Sequence, residues 1–261
     1  MGLLFGTATL SMAELERQPP CAQGLVGGNG GNTDLTEIVE AARAAGVPDT
    51  TLNRLLLAGV ENRDLFNAMP EILCFLIRAH KENLPLEPLI YKIEEALAKR
   101  VQADKIITVL RREIENLDFA RKLVRETLQS EEKLHSEAII RLAEILRAGI
   151  TKKEMDTFFK STSVAPLPMR IVGVEIMAYC RQIHVDPDMI KKIIDAGIQY
   201  EGFTSDWRYL AKVIATARKR GLSDELISKT AIEILKEKGS VKDLMTELGF
   251  TNRDLRREPI K

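Results

Sequence analysis

Apolar residues along this chain recur with the period of an α-helix. Leu86, Leu89, Ile90, Ile93 and Leu97 stand at i, i+3, i+4, i+7 and i+11, and Ile139, Leu142, Ala143 and Leu146 repeat the pattern over a shorter span. Such spacing puts every member on one side of a helix, as burial against a neighbour requires. No stretch of four or more residues alternates apolar and polar side chains between turn residues, so the sequence predicts essentially no strand.

Aligning the predicted helix ends exposes an internal repeat. Its anchors are apolar residues just beyond a helix: Val47, Leu84, Val101, Ile150, Val185 and Leu222. Five residues before each anchor stands Ala42, Ala79, Ala96, Ile145, Cys180 or Ala217, and eight before stands Val39, Leu76, Ile93, Leu142, Met177 or Ile214. Five residues after come Leu52, Leu89, Ile106, Met155, Ile190 and Ile227. The residue preceding the anchor is Gly46, Asn83, Arg100, Gly149, His184 or Gly221. Gly and Asn are the residues that a left-handed position closing a helix prefers.

New helices can begin at once: Thr151 with Glu154 makes a capping box, Asp186 precedes Pro187, and Ser223 precedes Asp224 and Glu225. The expected fold is therefore all-α, with helical hairpins stacked as an α-solenoid or an irregular bundle over residues 34–250. Ser161–Met169, with two prolines, interrupts the helical pattern and is the best internal boundary, readable as a hinge or as a longer loop within one stack.

The ends differ from this body. Gly2–Leu10 is apolar and leads to Ser11 and Ala13, small residues where a signal peptidase reads, so 1–13 is expected to be a signal peptide, although no Lys or Arg precedes the apolar run. Residues 14–33, with Pro19-Pro20 and the Gly/Asn-rich run Gly24–Asn32, read as a flexible leader, and 251–261 as a charged tail. The expected location is exported if the signal is real and cytoplasmic otherwise.

Leu89–Leu117, containing KIEEALAKRV at Lys92–Val101, resembles exported bacterial proteins of unassigned activity that carry KIEEALAKxV-type helical hairpins, with looser similarity from Ala45 to Leu128. The resemblance implies helical structure and export, and it supplies no catalytic residue.

The chain has 261 residues, enough for a buried core, and its 38 basic and 38 acidic residues cancel. That balance lacks the global footprint of a dedicated nucleic-acid binder. Cys21, Cys74 and Cys180 cannot all pair within one chain and lack short metal-ligand spacing, so neither a disulfide framework nor a zinc module is expected. No apolar run is long enough for a transmembrane helix.

Candidate chemistry is sparse. With histidine only at His80, His135 and His184, and no metalloprotease, phosphate-loop or nucleophile-elbow motif, the expectation is no catalytic, cofactor or metal site. Cys180 and His184 stand one turn apart near Asp186 and Asp188, but the repeat already gives each a packing or capping place. The Gly46 and Gly221 turns resemble a DNA-binding helix-turn-helix. Against DNA, the helix after Gly221 offers Asp224, Glu225 and Glu233 beside Lys229. The best candidate surface is Trp207, Arg208, Lys212 and Lys219, near Tyr179, Tyr200, Phe203 and Tyr209, which a concave face could gather into a groove, the alternative being that these aromatics pack in the core. The function expected is a non-catalytic scaffold binding a protein or peptide. The alternatives are a helical nucleic-acid-associated regulator and an enzyme without a recognisable motif.

Overall fold

The computed structural model describes residues 35–127 and 136–250. The expected signal peptide, leader and charged tail lie outside those residues, as do His135 and Cys21. The order is α1 (Leu35–Ala44), α2 (Asp49–Glu61), α3 (Arg63–Lys81), α4 (Glu87–Ala98), α5 (Ala103–Thr127), α6 (Ser136–Arg147), α7 (Lys152–Ser161), α8 (Leu167–Gln182) and α9 (Pro187–Gln199), then a 3₁₀ turn (Ser205–Tyr209), α10 (Leu210–Lys219), α11 (Asp224–Lys236) and α12 (Val241–Glu247). No strand occurs among the described residues, and no helix there is long and apolar enough to cross a membrane.

Helix ends follow the repeat. Gly46, Asn83, Arg100, Gly149, His184 and Gly221 all have φ between +52° and +105°. Each anchor amide then donates to the carbonyl five residues back: Val47 to Ala42, Leu84 to Ala79, Val101 to Ala96, Ile150 to Ile145, Val185 to Cys180 and Leu222 to Ala217, at 2.8–3.4 Å. This Schellman closure satisfies carbonyls that the helix end would otherwise orphan. Three further ends close alike, at Glu201-Gly202, Lys238-Gly239 and Gly249-Phe250. Two of these anchors are glycine for want of space: a Cβ on Gly202 would meet the Leu235 carbonyl oxygen at 2.4 Å, and one on Gly239 the Ile234 side chain at 2.8 Å.

The next helix is capped as expected. Thr151 and Glu154 form a reciprocal capping box, Asp186 accepts from the amides of Asp188 and Met189, and Ser223 accepts from Leu226. Asn62 caps α3, and Ser240 with Asp243 builds a second box at α12.

The chain divides into two units between Glu115 and Asn116, inside α5; segment 161–169 falls within the second. In the first unit α1 packs on α3, and α2 on both α3 and α4. Gly59 on α2 lies close to α3: a Cβ there would meet the Met69 methyl at 2.5 Å, so that flexible side chain would have to shift. Cys74, buried on α3, is disulfide-bonded. A single bridge is not a disulfide framework, so the sequence expectation stands beside it.

In the second unit first helices pack on first helices, α8 lying against both α6 and α10, and second on second, α9 against α11. The turns are stapled in the same order. Gln182 donates to the Ala148 carbonyl at 3.0 Å, Arg218 to that of Ile183 at 2.7 Å, and Arg220 to that of Gly249 at 3.2 Å. The core between the layers holds Ile176, Ile193, Trp207, Ile214, Ala217, Ile227 and Leu235, all essentially inaccessible. At segment 161–169, Arg170 leaves α8 to bind the Phe159 carbonyl at 2.5 Å, its guanidinium 4.4 Å from the Phe159 ring. Arg170 is buried, its Nε has no partner, and burial lowers its pKa from the usual arginine value.

Candidate functional site

The surface singled out in the sequence divides. Trp207 is fully buried: its indole Nε1 donates to the Gly239 carbonyl at 3.1 Å, and its ring lies 6.2 Å from that of Phe203. It is a core residue, and so is Phe203, as the packing alternative for these aromatics had it; Trp207 thereby leaves the candidate partner-binding surface. The cause is local geometry. Ser205–Tyr209 forms a 3₁₀ turn before α10 begins, so the 100° steps of an α-helix do not apply to Trp207 and Arg208. Arg208 and Lys219 are exposed and Lys212 is half-buried, with Lys212 and Lys219 on α10. Tyr200 is half-buried, with the Lys236 ammonium 5.9 Å from its ring.

A different constellation surrounds Arg208. Its Nη2 donates to Tyr209 Oη at 2.6 Å, and its guanidinium carbon lies 4.8 Å from the centre of the Tyr209 ring. Tyr209 remains 47% exposed, an open aromatic face beside a fixed cation. The hydrogen bond to Tyr209 raises the Arg208 pKa, and Glu175 and Tyr179 contribute in the same direction.

Glu175 and Tyr179 stand one turn apart on α8. Glu175 is 4% exposed and accepts a fork from Arg141 on α6, Nε at 2.9 Å and Nη2 at 2.7 Å. A buried carboxylate is stable only if paired in this way, because desolvation otherwise costs several kcal/mol. Tyr179 is half-buried, and that burial pushes its phenol pKa up, with Glu175 and Glu144 adding to the effect. α6 and α8 thus pair Arg141 with Glu175, and α8 packs on the 3₁₀ turn that carries Arg208 and Tyr209, with Tyr179 in the field of both arginines.

Sequence reasoning missed Arg141 and Glu175. The available signal was Glu175 itself, the only charge within Ile171–Cys180, since a charge amid such a run requires a partner.

Elsewhere the described residues hold no cluster of three or more His, Cys, Asp or Glu side chains able to bind a metal. Cys180 is a free, buried thiol whose pKa burial pushes up to about 12. His184 is the left-handed residue closing α8. On the helices that follow the helix-turn-helix-like turns, charges are committed internally: Asp49 to Arg43, Arg54 to Glu94, and Asp224 to Arg218.

No protein-family model, no curated protein and no solved structure matches this chain.

Proposed function

We propose that the protein is a non-catalytic helical-repeat scaffold of α-solenoid type that binds a protein or peptide through the surface of α6, α8 and the 3₁₀ turn. The observation that carries this reading is Tyr209, a half-exposed aromatic ring held beside the Arg208 guanidinium. Tyr and Arg dominate protein-binding energetics because a rigid ring and a planar cation desolvate at low entropic cost. The repeated layering of α6, α8 and α10 supports the solenoid reading. The internally paired charges at the turns favour packing over DNA recognition as their role.

Export and kinship with the exported bacterial helical proteins belong to the same proposal. The disulfide at Cys74 supports an oxidising compartment, where such bonds persist.

The test is site-specific photo-crosslinking in the native host, with a photoreactive phenylalanine analogue replacing Tyr209 and, as a control, Lys192 on α9. A discrete adduct from the Tyr209 position alone is expected. Identical adducts from both positions, or none from Tyr209, overturn the reading.

A further inference from the structure

Arg208 carries its charge without a carboxylate. Among the described residues its one side-chain hydrogen-bond partner is the neutral Tyr209 hydroxyl at 2.6 Å. The acid in its field, Glu175, already has both oxygens engaged by the Arg141 fork. A guanidinium offers five N–H donors in a plane, so most of those on Arg208 remain for an incoming acceptor. Contact with the Tyr209 ring at 4.8 Å holds that plane in place before any ligand arrives, which lowers the entropic cost of binding.

Two neighbours extend the feature. Lys212 stands four residues further on, half-buried and forming no ion pair among the described residues. With a 3₁₀ turn passing into an α-helix between them, it lies roughly 70° around the axis from Arg208. Tyr179 is close enough to feel both Arg208 and Arg141. The group is cationic but includes acids: Glu144 and Glu175 share its field. A carboxylate presents two coplanar oxygens that match the planar guanidinium fork, and in a polypeptide partner an Asp or Glu side chain supplies it.

We infer that Arg208, with Lys212 four residues further on, is the receptor for a carboxylate of the partner polypeptide, an Asp or Glu side chain entering as a fork onto the guanidinium. The inference rests on the reading that this surface binds a partner, and it names the chemistry that the partner must carry.

The full chain is titrated with a fluorescein-labelled Glu-rich peptide, its Gln-for-Glu counterpart, a phosphoserine peptide and a single-stranded oligonucleotide. Fluorescence anisotropy is read at low and high salt, and the Arg208 side-chain Nε–H resonance is followed by NMR. The Glu-rich peptide is expected to bind and to shift that resonance, while the Gln peptide does not. Arg208→Ala with Lys212→Ala should weaken binding by roughly tenfold or more, and Arg208→Lys by several-fold, since it keeps the charge and loses the fork. Lys192→Ala, an exposed lysine on α9, should leave affinity unchanged.

Equal loss on Lys192→Ala, or preference for the phosphoserine peptide or the oligonucleotide, overturns the inference. Failure of the Glu-rich peptide to bind, with the Tyr209 crosslink still formed, overturns the carboxylate alone; loss of the crosslink as well overturns the scaffold reading beneath it.

Discussion

Arg218 joins the end of one helical hairpin to the beginning of the next helix through Asp224, with Nε at 2.8 Å and Nη2 at 2.5 Å from its two carboxylate oxygens, while Nη1 binds the Ile183 carbonyl at 2.7 Å. The same six-residue offset recurs in the first unit, where Arg43 Nε donates to Asp49 at 2.7 Å. In both pairs an arginine in a last turn meets an aspartate in the following first turn, the placement that both helix dipoles favour.

The Arg218 hydrogen bond holds the Asp224 carboxyl below its ordinary pKa. A depressed folded-state pKa contributes stability that is fully present above the unfolded value, near 3.8, and is lost as pH falls through the folded value. Asp224→Asn should therefore lie below the parent in thermal midpoint at neutral pH, with the gap closing as pH falls below 3.8 and through the folded value. Melting curves across that range check it; a gap independent of pH would assign the loss to something other than this charge.

Arg100, His184 and Lys238 hold left-handed backbone at φ of 52–56°. An L-residue there costs about 1–2 kcal/mol that glycine avoids, offset in part by glycine's greater entropy when unfolded. Arg100→Gly and Lys238→Gly should each stabilise by about 0.5–1 kcal/mol, whereas glycine at helical Lys192 should destabilise by about 1 kcal/mol. Urea midpoints decide this, and a loss at the left-handed positions would contradict it.

Gly197 on α9 lies against the Phe203 ring, and a Cβ there would sit 2.2 Å from it. Gly197→Ala should push Phe203 against Trp207 at a cost of about 1–3 kcal/mol. Trp207 is the sole tryptophan, so its emission reports the displacement directly. An unchanged spectrum with an unchanged midpoint would show that the ring has room to move.

Of the three cysteines, Cys74 is disulfide-bonded and Cys180 is free and buried, with its pKa pushed up to about 12. The native protein should react slowly with a thiol reagent, because the thiolate is scarce and shielded. Unfolding without reductant should then release a single thiol per chain. A count above one would refute the disulfide.

The repeat was legible because each signal in it acts locally. A left-handed residue closes its own helix, and the next amide reaches back five residues along the same chain, so Gly46-Val47 or Gly221-Leu222 can be read without knowing what packs nearby. The ends at Glu201-Gly202 and Lys238-Gly239 escaped because the glycine follows the left-handed residue there. The reason is distant for Gly202, which yields to a carbonyl more than thirty residues away.

The candidate site divides along the same line. Sequence marked the neighbourhood of Arg208 from its density of aromatic and basic residues, without separating the buried Trp207 from the exposed Arg208 beside it. The 3₁₀ turn and the Gly239 carbonyl, brought in from beyond α11, put Trp207 into the core. Arg141 and Glu175, thirty-four residues apart, meet only because α6 and α8 pack together. The sequence by itself thus determined the helices, their caps and their all-α class, since these depend on backbone groups within one or two turns. Tertiary structure alone decided which side chains face solvent and which charges find partners, because desolvation and ion pairing depend on neighbours that the chain brings together only by folding.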